Sequence, residues 1–196
     1  MVSAIVMAAG LSTRIGTDNK LLLPFRHKNV IETTLGNIIG SGIKEIIVVL
    51  GHEAEKVQNS ISHLNVRITI NPEYSSGLTS SIKSGVRISN GIGYLLCLAD
   101  MVLIEPVEYR MICDGFNAQI NNDSECICIP EFEGQRGNPV LFSASYKEQI
   151  LQHEDPNGCK GIVQKQSSHI WPFKMKTDHI LKDLDTLEDY NKIRIE

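Results

Sequence analysis

An apolar stretch, Ile5-Val6-Met7, runs into Ala8-Ala9-Gly10 and then into Ser12, Thr13, Arg14, Gly16 and Lys20. Small residues at a turn let backbone N–H groups face a ligand, and fixed cations add what a polyphosphate needs. The stretch fits neither common phosphate fingerprint. Five residues separate Gly10 from Gly16 where GxxxxGK[ST] has four, and Ser12 stands where GxGxxG has its second glycine. A plain glycine turn with two solvated bases is the structural alternative. Asp100 closes the apolar run "YLLCLAD". Its carboxylate could hold magnesium, which takes one or two carboxylates together with phosphate oxygens and water. It could equally cap the turn before "VLIEP". In "KDLDTLEDY", Asp183 and Asp185 are two apart and share a face of an extended segment. The capping box that starts at Thr186 accounts for Glu188 and Asp189 but not for Asp183 or Asp185. One of those two could complete a metal site with Asp100.

Two further loops carry polar groups. "GQRGNPVLF" sets Arg136 between glycines, where a guanidinium and backbone amides can reach an anion, or where a tight surface hairpin can form. In "NPEYSSGLTSSIKSG", Thr79, Ser80 and Ser81 either cap a helix or line a polar pocket beside Gly77.

These residues need elements to position them, and the pattern alternates. Strands are predicted over residues 3–7, 45–50, 66–70, 94–99, 125–130, 139–142 and 179–181. Helices are predicted over 30–39, 54–64, 79–88, 108–116, 146–151 and 158–166, and from 187 onward. Continuous apolar strands alternating with helices imply a mainly parallel sheet covered on both faces. The expectation is one three-layer α/β/α Rossmann-like domain over residues 1–196. Such sheets bind ligands at the carboxyl ends of their strands. The strand ends here are Ala8-Ala9-Gly10, Gly51-His52, Asn71-Pro72 and Asp100.

The totals fit one domain with an ordinary core: apolar residues are 42% and charged residues 21%. A net charge of -4 argues against a broad basic face for nucleic acid. No apolar run approaches the roughly 20 residues that span a bilayer, and no signal pattern opens the chain, so a cytoplasmic protein is expected. The five cysteines include no CxxC pair, and Cys126 and Cys128 read as small core fillers on one strand face. The six histidines form no HExxH or HxH, which leaves zinc without support.

In order and spacing, "MAAGLSTRIGTDNKLLLP", "NPEYSSGLTSSIKSG", "LADM", "PEFEGQRGNPVLF", "DPNGCKGIV" and "KDLDTLEDY" together resemble the molybdenum cofactor nucleotidyltransferases, most closely the cytidylyltransferases among them. They span residues 7–190. The resemblance implies Mg2+-dependent transfer of CMP from CTP to the phosphate of a molybdopterin acceptor, with release of pyrophosphate. It implies CTP on Ala8, Ala9, Gly10 and Ser12, phosphates on Arg14 and Lys20, and Asn71, Gly77 and Ser81 beside base and ribose. It implies Mg2+ on Asp100 and Asp185, the latter favoured over Asp183 because it directly precedes the closing helix. Arg136, Gly137, Asn138 and Asp155 would face the pterin. A recipient molybdoenzyme or its chaperone is an implied partner. Ala9 stands where relatives that use GTP tend to carry glycine, and its methyl would suit the smaller cytosine. The chain departs from the family at Met101 and Val102, where Gln and Pro are usual, at Asn138, where His is usual, at Leu187, where Pro is usual, and around Asp155. Those changes cluster on the acceptor side. They keep two alternatives in view: transfer to another phosphorylated acceptor or from GTP, and a catalytically silent pterin carrier.

Overall fold

The structure is a computed structural model that describes residues 1–11 and 19–193. The strands are β1 (Val2–Ala8), β2 (Pro24–Phe25), β3 (Lys28–Asn29), β4 (Glu45–Leu50), β5 (Arg67–Ile70), β6 (Gly93–Leu98), β7 (Ile127–Phe132), β8 (Gln135–Arg136), β9 (Val140–Ser143) and β10 (Ile170–Lys174). The α-helices are α1 (Val30–Gly40), α2 (Ala54–Ser60), α3 (Leu78–Ile88), α4 (Pro106–Gln119), α5 (Lys147–Gln152), α6 (Lys160–Lys165) and α7 (Leu187–Ile193).

The central sheet has the order β10-β7-β9-β6-β1-β4-β5, with β8 paired to β7. All of its neighbours along the path are parallel except those of β9, which runs against both β6 and β7. β2 and β3 form a separate small hairpin. The strands alternate strictly between two cores. Ala4, Val6 and Ala8 of β1 and Ile46, Val48 and Leu50 of β4 face the layer of α1, α2, α4 and α7. Ile5 and Met7 of β1 and Ile47 and Val49 of β4 face α3, α5 and α6. Burial on both faces explains why these strands read as unbroken apolar runs. From β1 the chain passes to β4 on one side and later to β6 on the other. That reversal opens a crevice at the strands' carboxyl ends, where open α/β sheets receive ligands. No helix among the described residues is long and apolar enough to cross a membrane.

One expectation needs correcting. Residues 179–181 form a 3-10 turn rather than a strand. Their apolar pattern reflects Ile180, which is buried as a single side chain. The late strand is instead β10, "IWPFK", whose Pro172 reads as a breaker. It sits at the edge of the sheet and pairs only with β7, where a missing N–H is tolerated.

Candidate active site

Asp100 lies two residues past the end of β6 and is 7% exposed. The chain beyond it stays inside: Met101, Val102, Leu103 and Ile104 are all buried. Asn37 of α1 holds that loop, donating from Nδ2 to the carbonyls of Val102 (3.2 Å) and Ile104 (2.9 Å). Met101 and Val102, where the resemblance leads to Gln and Pro being expected, are packed in the core.

Asp183 and Asp185 come up against Asp100 from the segment before α7. One oxygen from each of the three carboxylates lies within 4.8 Å of the others, close enough to share a cation. The structure brings both aspartates of this segment to Asp100, Asp185 as well as Asp183. Oxygen ligands of this kind suit a hard divalent ion. Burial, with Asp100 and Asp185 as close negative neighbours, pushes the Asp183 carboxyl above its ordinary value. A local surplus of negative charge is what a cation would relieve.

Lys20 lies in the same cluster. It opens a 3-10 turn whose N-cap, Asn19, accepts from the Leu21 amide at 3.1 Å. Its ammonium bonds Asp100 and reaches Asp185 Oδ1 at 3.2 Å. Burial would lower the Lys20 value, but the two aspartates outweigh it and raise it, so the side chain stays charged. Lys20 thus meets the acidic groups directly, a contact that spacing 80 and 165 residues away could not reveal. Ser12 and Arg14 lie outside the described residues.

The other residues expected beside the nucleotide lie at the carboxyl ends of β1 and β5 and at the start of α3. Ala8 and Ala9 are buried at the end of β1, and Gly10 is exposed. A Cβ on Gly10 would meet nothing within 4 Å among the described residues, so its backbone is open to approach. The Ala9 carbonyl accepts from His52 N at 3.3 Å. A Cβ on Gly51 would lie 2.8 Å from the Ala9 methyl and 2.5 Å from Tyr74 Cβ. The Ala9 methyl and Tyr74 therefore both pack against Gly51. Asn71 and Ser81 are buried and engaged with each other. Asn71 Nδ2 donates to Ser80 Oγ (2.8 Å) and Ser81 Oγ (3.1 Å), while Asn71 Oδ1 accepts from Glu73 N (3.0 Å). What they fix first is the loop between β5 and α3. Gly77, at φ 113°, faces Pro156, whose carbonyl oxygen would lie 2.6 Å from a Cβ there.

On the other side of the sheet a cleft of about 490 Å3 opens over Met7, Leu96 and Leu98. Arg136, Gly137 and Asn138 line one wall; Asn157, Gly158, Cys159 and Lys160 line another. Its floor is apolar and its two cations are Arg136 and Lys160, a combination suited to a largely apolar body carrying an anionic group. Lys160 went unnoticed in the sequence because nothing marks it beside "DPNGC". Asp155 is not among the lining residues. Its carboxylate accepts from Asn157 N (2.9 Å) and Nδ2 (3.0 Å), which hold it below its usual value and make it a turn-former.

A family profile described as "MobA-like NTP transferase domain" matches residues 4–170. Among curated proteins, the chain is 33% identical over 195 residues to a nicotine blue oxidoreductase of Paenarthrobacter nicotinovorans, covering 98% of this chain and 96% of that one. It is 25% identical over 190 residues to the molybdenum cofactor cytidylyltransferase of Escherichia coli K12, covering 96% and 93%. Among solved structures, a nucleotidyl transferase from Methanothermobacter thermautotroptrophicus superposes with a TM-score of 0.87 at 25% identity, over 100% of this chain and 96% of that one.

Proposed function

Because the chain belongs to the family of MobA-like NTP transferase domains, a family of nucleotidyltransferases, we propose that it transfers CMP from CTP to the phosphate of a molybdopterin acceptor. The names of the two curated relatives point to different chemistries, so likeness alone does not choose the reaction. The observation that carries the reading is the cluster of Asp100, Asp183 and Asp185 with Lys20 at the carboxyl edge of the sheet.

In this reaction an oxygen of the acceptor phosphate forms a bond to the α-phosphorus of CTP. The bond from that phosphorus to the bridging oxygen breaks, and pyrophosphate leaves with the electron pair. A phosphate monoester is already ionised near neutral pH, so no protein group need remove a proton. Asp100 and Asp185, with Asp183 beside them, would hold Mg2+, which would supply positive charge against the charge developing on the phosphates. The three carboxylates fit such an ion in type, number and closeness. Lys20 presents a fixed positive charge next to the same oxygens, where preorganised charge favours the transition state over the ground state. The open backbone at Gly10 receives the triphosphate, and Arg14 is proposed as a second cation there. Arg136 and Lys160 hold the acceptor's phosphate at the mouth of the apolar cleft, with Gly137 and Asn138 on its wall.

The test is pyrophosphate release with each of the four NTPs, set against molybdopterin, sugar phosphates and alditol phosphates. Release is expected to be highest with CTP and molybdopterin and absent without a divalent cation. Asp100→Ala is expected to lower turnover by several kcal/mol of transition-state stabilisation, about 10^3-fold or more. Undiminished turnover in Asp100→Ala sinks the metal assignment. Turnover that needs a sugar phosphate or alditol phosphate, or a different NTP, overturns the substrates.

A further inference from the structure

Glu108 lies in the first turn of α4 and is 6% exposed. Its Oε2 accepts from the Glu105 amide at 2.8 Å, as a helix N-terminus requires. Two more donors come from a turn some seventy residues later in the chain: Thr177 Oγ1, on Oε1, and His179 Nδ1, 2.9 Å from Oε2. The carboxylate is an acceptor, so Nδ1 carries the proton. An apolar side chain at position 108 could bury itself against this turn with no partner at all. Hydrogen bonds to a buried carboxylate are directional, and they set the turn's height and rotation as apolar contact does not.

Both ends of this contact lead to the active site. Towards the N-terminus, Glu108 is tied to Asp100 through a buried loop held by Asn37. Towards the C-terminus, the turn leads through Ile180 and the fully buried Leu184 to Asp183 and Asp185. The turn also seats the acceptor loop. The Ile180 carbonyl accepts from Asn138 N at 3.0 Å, and a Cβ on Gly137 would stand 2.3 Å from that same oxygen. One short turn therefore touches the segment that bears two of the metal carboxylates, the loop that faces the acceptor, and the helix anchored behind the third carboxylate.

We infer that Thr177 and His179, bonded to Glu108, are positioning residues. They hold Asp183 and Asp185 at bonding height against Asp100 and keep the 136–138 loop in register with them. The inference rests on the proposed reading of the three aspartates as cation ligands. Groups that orient metal ligands without touching the ion typically change its affinity by about 10- to 100-fold.

Mn2+ alone, titrated into the full chain and followed by electron paramagnetic resonance, reads this without turnover. Thr177→Val and His179→Ala are expected to weaken Mn2+ about 10-fold. Thr177→Ser and His179→Asn, which keep a donor facing Glu108, are expected to restore it. With saturating metal, kcat is expected to recover in the Val and Ala variants, while KM for the acceptor stays raised through the Asn138 contact. Thr177→Val is nearly isosteric and carries the test if His179→Ala does not fold. Mn2+ affinity unchanged in folded Thr177→Val and His179→Ala, together with loss of binding in Asp100→Asn, overturns the positioning role alone. Asp100→Asn that binds Mn2+ as the parent does overturns the metal reading beneath it.

Discussion

Asp183 is a half-buried carboxylate that the fold disfavours in its charged form. Its carboxyl is raised by burial first and by Asp100 and Asp185 next. A raised carboxyl means that the folded state holds its proton to higher pH than the unfolded chain does. Stability therefore falls as pH climbs from the ordinary carboxylate range through the raised value. Asp183→Asn should remove that decline and raise Tm at neutral pH by about 2–4 °C in metal-free buffer, while weakening Mn2+. Calorimetry with and without Mn2+ checks both halves. Lys20 should behave in the opposite sense towards the ion. Lys20→Met deletes a cation that already sits on Asp100 and Asp185, so Mn2+ should bind at least as tightly. Turnover should drop on the order of 10^2-fold, because charge near the reacting phosphates is lost. A Lys20→Met variant with weaker Mn2+ and full turnover would reverse this assignment. At this scale the sequence was informative wherever a polar group interrupts an apolar run, as Asp100 does. It could not choose between Asp183 and Asp185, since both arrive together. It could not single out Thr177 or His179, because their meaning depends on Glu108, far away along the chain.

At the scale of elements, helix α3 lies close on β1. A Cβ on Gly85 would meet Ile5 Cγ2 at 2.3 Å and Val49 Cγ2 at 3.1 Å, both on stiff β-branched side chains. Gly85→Ala gains up to about 1 kcal/mol of helix propensity. It should nonetheless destabilise by about 1–3 kcal/mol through overpacking, read as a lower urea midpoint. At the end of the sheet opposite the active site, Glu45 joins four segments. It accepts from Ser3, from Arg67 NH1 at 2.7 Å and from Asn90 N at 3.0 Å. Burial works to raise this carboxyl, but those donors prevail and hold it below its ordinary value. A depressed carboxyl stabilises the fold above the unfolded value, and that contribution is lost as pH falls through the folded value. Glu45→Gln should be less stable at neutral pH and should lose less on acidification to pH 3, as urea titrations at both pH values would show. The elements themselves were largely legible. β4 matches its expected bounds, and α1 and α3 differ from theirs by one residue, since two buried faces and clear glycine stops leave little choice. β10 escaped because edge strands tolerate the Pro and the polar flanks that rule out a central strand.

Across the whole molecule, four of the five cysteines are buried and Cys113 is half-buried; Cys126 and Cys128 fill the same core, as their spacing suggested. Burial pushes Cys126 up to about 11, Cys113, Cys128 and Cys159 up to about 12, and Cys97 well above its ordinary value. A thiol reagent at pH 8 should therefore react slowly with all five in the native protein and rapidly once the protein is denatured. Fast labelling of the native protein would contradict this burial. The α/β alternation was readable from β1 to β6, where the central strands are covered on both sides, and it failed at the exposed edge strand β10. The cleft of about 490 Å3 was not legible, because its lining comes from segments far apart in the chain that only the sheet order brings together.

The Lys20–Asp185 contact spans 165 positions, and this has a consequence for the order of synthesis. All ten strands are complete by Lys174, before either Asp183 or Asp185 has been made. A growing chain thus makes every described strand before it makes two of the three clustered carboxylates. The cluster of Asp100, Asp183 and Asp185 closes only when that late segment docks.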